Sequence, residues 1–306
     1  MSEGMAGAGE VVRSVFEDLR SRGAQAVESG RIEEAAALFE SALAWARENG
    51  DDHQVDLALC NRAAVAIELG RGEGELPRLR EILMRNGDPL SCRIAAYNLA
   101  RHYELAKSYK KALFYARIAR ERSEALGRRD WLASSCNLIG NTLLAESFVE
   151  PACEQYERAL ALMPEEPGVA RAMIFDNLGY CRILQGRHRE GYTLLYSSLA
   201  VLRRAGIAQY EATVRLDLCF AHLETGRYRL ARRHGSRALA LGESLGEPAL
   251  IKNALYLLGE VESLRGDPAS ARAYFTRLQR SFFPEASYLP GFLLAVDVRN
   301  LVNLHA

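Results

Sequence analysis

Residues 139–164 have the sequence IGNTLLAESFVEPACEQYERALALMP, in which small residues alternate with larger apolar ones at helical spacings. Gly140 lies twelve residues before Ala152, and Tyr156 and Ala159 follow Ala152 at offsets of four and seven. Such offsets place side chains on one face of an α-helix. The stretch therefore predicts two helices whose backbones approach each other closely at Gly140 and Ala152.

The same pattern recurs seven times along the chain. At spacings of 37 to 40 residues, the small position of the first helix holds Gly23, Ala63, Ala100, Gly140, Gly179, Cys219 and Gly259. Twelve residues later, the partner position holds Ala35, Glu75, Ala112, Ala152, Gly191, Ala231 and Ala271. The turn between them, where a left-handed residue would end the first helix, holds Gly30, Gly70, Lys107, Ser147, Gly186, Gly226 and Gly266. Six of the seven partner positions are no larger than alanine, so the register is not accidental.

This pattern resembles the tetratricopeptide repeat, whose signature is Leu-Gly-x-x-Tyr, then Ala-x-x-x-Phe, then Ala and Pro. The common repeat of that family is about 34 residues long, whereas the present period is near 40. The difference lengthens each helix by about three residues, or roughly 5 Å. Longer repeats of this kind resemble those of bacterial regulators, cargo adaptors and polarity scaffolds. The resemblance implies an all-α fold, a right-handed superhelical solenoid of seven helical hairpins with a C-terminal capping helix.

The register also predicts the division of the chain. Residues 1–10 are expected to be a flexible N-terminus, and residues 284–306 a capping helix that hides the apolar end of the array. Repeats are predicted over 11–283, at about 11–50, 51–87, 88–127, 128–166, 167–206, 207–246 and 247–283. Gly72, Gly74 and Pro77 predict a short, late-starting second helix in the second repeat.

Composition limits the choice of partner and compartment. Lysine plus arginine and aspartate plus glutamate each total 39, which does not favour nucleic acid as a partner. The six cysteines form no Cys-x-x-Cys pair and lie in apolar helical pattern, so we expect buried, reduced side chains. Residues 1–10 lack the features of a signal peptide, and no apolar run is long enough to span a membrane. These features predict a cytoplasmic protein without a membrane partner.

The sequence lacks recognisable phosphate-binding and metal-binding motifs. Gly70, Gly72 and Gly74 follow a predicted helix and lack the lysine of a phosphate-binding loop. The six histidines never fall three or four residues apart, so no helical metal pair is formed. We therefore predict a non-enzymatic protein with no catalytic residue, no cofactor and no metal site.

Two basic runs lie on predicted second helices, which form the convex side in the resembled family. The first run is Lys107, Lys110, Lys111, Arg117, Arg120, Arg122, Arg128 and Arg129, and the second is Arg227, Arg229, Arg232, Arg233 and Arg237. A solvated surface is the favoured interpretation, and an anionic partner is the alternative.

First helices line the concave groove in the resembled family, and asparagine recurs there two residues before the small position. Asparagine donates and accepts hydrogen bonds, so such a series suits the backbone of an extended peptide. The alternative is that these asparagines serve helix packing. We expect the groove side chains to face solvent. The predicted partner-binding residues are Asn61, Tyr97, Asn98, Arg101, Asn137, Asn141, Asp176, Asn177, Tyr180, Asp217, Phe220, Tyr256 and Glu260.

Carboxylates outnumber arginines in this set, which indicates a basic partner. The sequence thus predicts an adaptor or scaffold that binds a peptide or helical segment of another protein in the concave groove. The alternative is a regulatory module that senses a peptide or small ligand, resembling those of bacterial transcription regulators. The oligomeric state stays open, including self-association through the C-terminal helix.

Overall fold

The computed structural model describes residues 3–166, 168–299 and 302–305, and within them all regular structure is helical. Fifteen α-helices follow one another. Their bounds are α1 Glu3–Glu28, α2 Ile32–Asn49, α3 Asp52–Glu68, α4 Leu76–Arg85, α5 Pro89–Leu105, α6 Tyr109–Ala125, α7 Arg129–Ala145, α8 Val149–Leu162, α9 Val169–Leu184, α10 His188–Arg204, α11 Ala208–Glu224, α12 Tyr228–Leu245, α13 Pro248–Leu264, α14 Pro268–Phe282 and α15 Leu289–Ala295. The predicted all-α solenoid class is confirmed.

The helices pack in chain order within two compact units, residues 1–143 and 144–306, and the division falls inside α7. In unit 1, α1 packs on α2, α5 packs on α6, and α3 packs on both α2 and α5. In unit 2, the pairs α9–α10, α11–α12 and α13–α14 pack as hairpins, and each of α10 and α12 also contacts the next first helix. First helices additionally contact one another, α9 with α11 and α11 with α13. Such first helices are covered on several sides.

The turn inside each repeat has the predicted left-handed backbone. Its φ angle is +70° to +82° at the five glycines, and it is +55° at Lys107 and +66° at Ser147. At Gly226 the turn brings the N–H of Arg227 to within 2.8 Å of the carbonyl oxygen of His222, which closes the end of α11. A left-handed residue at this place satisfies carbonyls that the helix leaves free.

Close helix contact occurs at the small positions. The predicted alanines at both positions of the hairpins are fully buried. A Cβ placed on Gly179 would lie 2.9 Å from Cγ of Leu195, and one placed on Gly259 would overlap the ring of Phe275. Leu195 and Phe275 come four residues after the partner positions, so these two hairpins are closed by a large side chain lying on a small one.

The second repeat departs from this pattern as predicted. A 3-10 helix spans Gly72–Glu75, and α4 follows with only ten residues. Glu75, which replaces the small partner residue, forms a salt bridge of 2.8 Å with Arg62 of α3. An ion pair thus stands where the neighbouring repeats have backbone contact, and Leu76, Leu79 and Ile82 of α4 are buried in the core of unit 1.

The ends of the chain differ from the predicted bounds. Residues 1 and 2 of the predicted flexible N-terminus lie outside the described residues, and α1 begins at Glu3. At the other end, α15 covers seven residues, where a capping helix over 284–306 was predicted. After it, Val296 is extended, and the carboxylate of Asp297 accepts the N–H of Arg299 at 3.1 Å, a local bond that competes with helix.

The six cysteines are buried and lie outside any disulfide, as predicted. Among the described residues, no helix is both long and apolar enough to cross a membrane.

We expect Gly259→Ala to lower the free energy of unfolding by about 1–3 kcal/mol, because the added methyl group overpacks the contact with Phe275. Urea unfolding measures this change. Adding Phe275→Leu to Gly259→Ala should recover part of the loss. Gly291→Ala is the matched control, because the space around Gly291 is open. Equal stability of the two alanine variants would disprove the close contact.

We also expect Lys107→Gly to raise the free energy of unfolding by about 0.5–1 kcal/mol, because glycine relieves the left-handed strain of a side chain that is exposed to solvent. Gly226→Ala should lower it by a similar amount. Thermal and urea unfolding would measure both changes. A destabilised Lys107→Gly variant would contradict the strain at this turn.

Candidate partner-binding site

Six of the predicted partner-binding residues belong to unit 1, and the side chain of Asn98 is built into its interior. Asn98 is buried, and its Nδ2 atom donates to the carbonyl oxygen of Cys60 at 2.7 Å, joining α5 to α3. The expected exposure of Asn98 is therefore wrong, and here the asparagine serves helix packing.

The other predicted residues of unit 1 are half-buried: Asn61, Tyr97, Arg101, Asn137 and Asn141. Arg101 donates to Glu68 at 2.8 Å and to Glu104 at 2.6 Å, so its charge is shared by two carboxylates. Asn141 also donates to Glu104. The guanidinium of Arg93 lies 4.9 Å from the ring centre of Tyr97. The charges of this group are balanced within unit 1 itself.

The seven predicted residues of unit 2 lie on α9, α11 and α13. We call the surface made by Asp176, Tyr180, Asp217, Phe220, Tyr256 and Glu260 the inner face of unit 2. All six side chains are buried, whereas Asn177 is half-buried. The expectation that these side chains face solvent is therefore wrong, because neighbouring first helices cover them.

Asp176 and Asp217 form a buried pair of carboxyl groups across α9 and α11. They are 5% and 2% exposed, and a side-chain hydrogen bond joins them. Apart from that bond, neither Oδ1 of Asp176 nor Oδ2 of Asp217 has a hydrogen-bond partner among the described residues. Burial, followed by the charge of Asp217, raises the pKa of Asp176 well above its ordinary value. The protonated form of Asp176 is thus favoured, as expected for two acids that share a site.

A second pair lies one helical turn apart on α13. Tyr256 and Glu260 are 8% and 5% exposed, and the hydroxyl of Tyr256 and Oε1 of Glu260 have no partner among the described residues. Burial raises the pKa of Glu260 to about 7, and the neighbouring Arg299 only partly opposes this shift. The inner face therefore holds four buried oxygen atoms that could still form hydrogen bonds.

Aromatic rings form an apolar floor beside these oxygens. The ring centres of Tyr180 and Phe220 lie 5.3 Å apart. A cavity of about 280 Å³ opens next to them, and its lining residues are Leu144, Ser147, Val149, Tyr180, Ile183, Leu184, Phe220, Glu224, Arg299, Val302 and Asn303.

The C-terminal segment of residues 302–305 also lies on the inner face, and no sequence argument assigned it there. Nε2 of His305 lies 3.2 Å from Oδ1 of Asp217, and the His305 ring centre lies 4.3 Å from that of Tyr180. The available signal was the two polar residues, Asn303 and His305, inside an otherwise apolar stretch.

Of the basic runs, the first follows α6 and its flanking turns and the second follows α12, both second helices as predicted. Part of their charge is balanced locally: Arg232 lies 3.0 Å from Glu262, and Arg128 lies 2.8 Å from Asp130. Among the described residues, no cluster of three or more histidine, cysteine, aspartate or glutamate side chains could hold a metal ion.

Paired helices with small contact residues, left-handed turns and an inner layer of first helices define an α-helical repeat protein. Residues 210–281 match the family described as tetratricopeptide repeat. This chain is thus a tetratricopeptide-like repeat protein. No curated protein matches its sequence significantly.

Several solved structures share this fold. A Rap protein complexed with Competence and Sporulation Factor has a TM-score of 0.72 at 15% identity, covering 89% of this chain and 76% of its own. PilW, a type IV pilus biogenesis factor, has a TM-score of 0.59 at 21% identity, covering 78% and 99%. BtubC from P. vanneervenii has a TM-score of 0.54 at 21% identity, covering 72% and 90%. At these identities the likeness establishes the fold alone.

Glu260 should make stability depend on pH. Its pKa is raised from 4.5 to about 7 in the folded protein, so between these values the folded state holds a proton that the unfolded state releases. The contribution of Glu260 is therefore full below pH 4.5 and is lost as pH rises through about 7. We expect Glu260→Gln to be more stable relative to wild type at pH 8 than at pH 5.

Urea unfolding at the two pH values tests this expectation. Glu285→Gln is the matched control, because Glu285 is exposed and the same charge is removed. If both variants show the same pH dependence as wild type, Glu260 does not ionise with a raised pKa.

Proposed function

We propose that this protein is a non-enzymatic adaptor that binds a segment of a partner protein on the inner face of unit 2. The observation that carries the proposal is a set of four buried oxygen atoms, on Asp176, Asp217, Tyr256 and Glu260, which among the described residues have no partner apart from the hydrogen bond within the acid pair. Leaving a buried polar group unsatisfied costs about 1–3 kcal/mol. A ligand that supplies hydrogen-bond donors to these atoms would remove that cost.

The chemistry of the four oxygens selects the partner. Three belong to carboxyl groups and the fourth to a hydroxyl, so the complementary groups are N–H donors and positive charges. In unit 1, by contrast, Arg101 already donates hydrogen bonds to Glu68 and Glu104. The difference between the two units favours a basic segment and favours unit 2 as its site.

The dimensions of the site support a peptide over a small molecule. The cavity beside Tyr180 measures about 280 Å³, just below the roughly 300–1,000 Å³ usual for small-ligand pockets. The oxygens are also spread over three helices. A segment of protein chain can reach all of them, and its apolar side chains can pack on Tyr180 and Phe220.

The family supports the same class of function, since tetratricopeptide repeats are generally interaction modules without catalytic activity. The structural neighbour complexed with Competence and Sporulation Factor supports a variant of the proposal, in which the bound segment is a signal and the protein is a sensor. We also propose a cytoplasmic location, supported by six buried cysteine thiols, which persist best in a reducing compartment.

Selection of random twelve-residue peptides on the full-length protein tests the proposal, followed by fluorescence anisotropy with the selected peptides. We expect enrichment of lysine and arginine. Binding should weaken at least tenfold in a triple variant, Asp176→Asn, Asp217→Asn and Glu260→Gln, because each amide replaces an accepting carboxyl oxygen by a donor. Asparagine and glutamine keep the shape of the protonated acids, so circular dichroism should show a folded protein.

The matched control is the triple variant Glu165→Gln, Glu166→Gln and Glu285→Gln, which removes the same charge from exposed positions of unit 2. It should bind like wild type. Binding that survives the inner-face triple variant but is lost on neutralising Lys110, Arg117, Arg229 and Arg233 would move the site to the second helices and to an anionic partner.

A further inference from the structure

Part of the inner face is already occupied by the chain itself. Asn303 donates through Nδ2 to the carbonyl oxygens of Leu144 at 2.8 Å and Ala145 at 3.2 Å, and it lies 3.2 Å from the hydroxyl of Ser147. Both carbonyls belong to the last turn of α7, which ends at Ala145, and that of Leu144 also accepts the N–H of Ser147 at 2.8 Å. One side-chain amide thus bridges a helix end to the C-terminal segment.

The main chain of the segment is bound as well. Asn253 of α13 donates through Nδ2 to the carbonyl oxygen of Leu304 at 3.1 Å, and the N–H of Leu304 donates to the hydroxyl of Tyr180. Asn253 and Tyr180 therefore hydrogen-bond both backbone polar groups of Leu304. Recognition of main chain in this way is how a groove binds a peptide.

A local turn sets the distance between the two side-chain anchors. Oδ1 of Asn303 accepts the N–H of His305 at 2.9 Å, which is an Asx turn. The turn directs the imidazole of His305 to Asp217 and against the ring of Tyr180. Upstream, Arg299 adds an ion pair of 3.3 Å with Glu224. The segment has the contacts of a bound ligand, with an amide and an imidazole two residues apart.

The fit of this occupant is incomplete. With His305 in place, Oδ2 of Asp217 and Oδ1 of Asp176 still have no partner among the described residues beyond the hydrogen bond within the acid pair. The imidazole reaches Asp217 through one nitrogen. An arginine side chain carries five N–H donors in a planar fork that matches a carboxylate with two bonds. Arginine at the position of His305 could therefore satisfy Asp217 and extend to Asp176.

We propose that residues 302–305 are an internal, displaceable occupant of the inner face, and that the partner segment replaces them with an asparagine followed two residues later by an arginine. This inference rests on the proposed function and specifies its ligand. An occupant tethered to the same chain acts at an effective concentration of roughly millimolar. A partner segment must therefore bind the inner face more tightly than the tethered segment does. Additional hydrogen bonds to the oxygens of the acid pair would supply that affinity.

The test uses two fluorescein-labelled peptides, VDVRNLVNLHA, which is residues 296–306, and the same peptide with His305→Arg. Each is titrated against full-length wild type and a full-length Asn303→Ala, His305→Ala variant, whose own segment has lost its anchors. We expect the variant to bind both peptides at least tenfold more tightly than wild type does. The His305→Arg peptide should bind at least tenfold more tightly than the natural one.

Tyr288→Ala is the control variant, because Tyr288 is 71% exposed and its loss leaves the internal segment anchored. It should bind like wild type. Equal affinity of wild type and the Asn303→Ala, His305→Ala variant would overturn the inference, as would no binding to either.

Hydrogen exchange on wild type provides a second measurement that does not require the anchor variant to fold. Residues 296–305 should exchange faster when the His305→Arg peptide is added, and an unchanged rate at saturation would overturn the inference.

The two proposals can fail separately. If random peptides selected on wild type bind the acid pair while neither tail peptide binds any variant, the proposed function stands and the internal occupant fails. If tail peptides bind but no basic peptide is selected, the proposed function fails.

Discussion

Close approach of two helix backbones at a glycine or alanine is the constraint on which the rest of this structure depends. At Gly259 the ring of Phe275 takes the space that a Cβ would need, and Leu195 does the same at Gly179. Helices in such close contact have little room for solvent between them. The first helix of a repeat is then covered by its own second helix, by the preceding second helix and by neighbouring first helices.

The acidity of the inner face follows from that packing. Polar side chains on first helices lie in a layer that water reaches poorly, so a carboxyl group there must find a partner or keep its proton. In unit 1 the carboxyl groups have a partner, since Glu68 and Glu104 share Arg101. In unit 2 burial favours the protonated form of Asp176 and Glu260, because it raises their pKa values. One repeat architecture thereby produces a balanced surface in one unit and a surface with unused hydrogen-bonding capacity in the other.

The C-terminal segment shows how such capacity is used. Asn303 reaches a helix end, His305 reaches Asp217, and Asn253 holds the backbone of Leu304. These bonds compete with the helix that the apolar pattern of the segment favours, and they outweigh it beyond Ala295. A short Asx turn, with no helical hydrogen bonds to lose, fits the inner face better than a helix would.

The sequence by itself determined the class of the fold, the succession of paired helices, the left-handed turns and the weak second repeat. All of these depend on contacts within a window of about 40 residues, so a local sequence pattern is enough to predict them. Only the tertiary structure decided which polar residues are buried. Asn98 and Asp217 occupy the same predicted position, yet one is bonded to Cys60 and the other, among the described residues, lacks a partner at Oδ2 beyond the hydrogen bond within the acid pair. The position of the C-terminal segment was likewise decided there, since Asn303 contacts a residue 159 positions earlier. Burial and long-range hydrogen bonds depend on which helices become neighbours in space, and a single repeat does not contain that information.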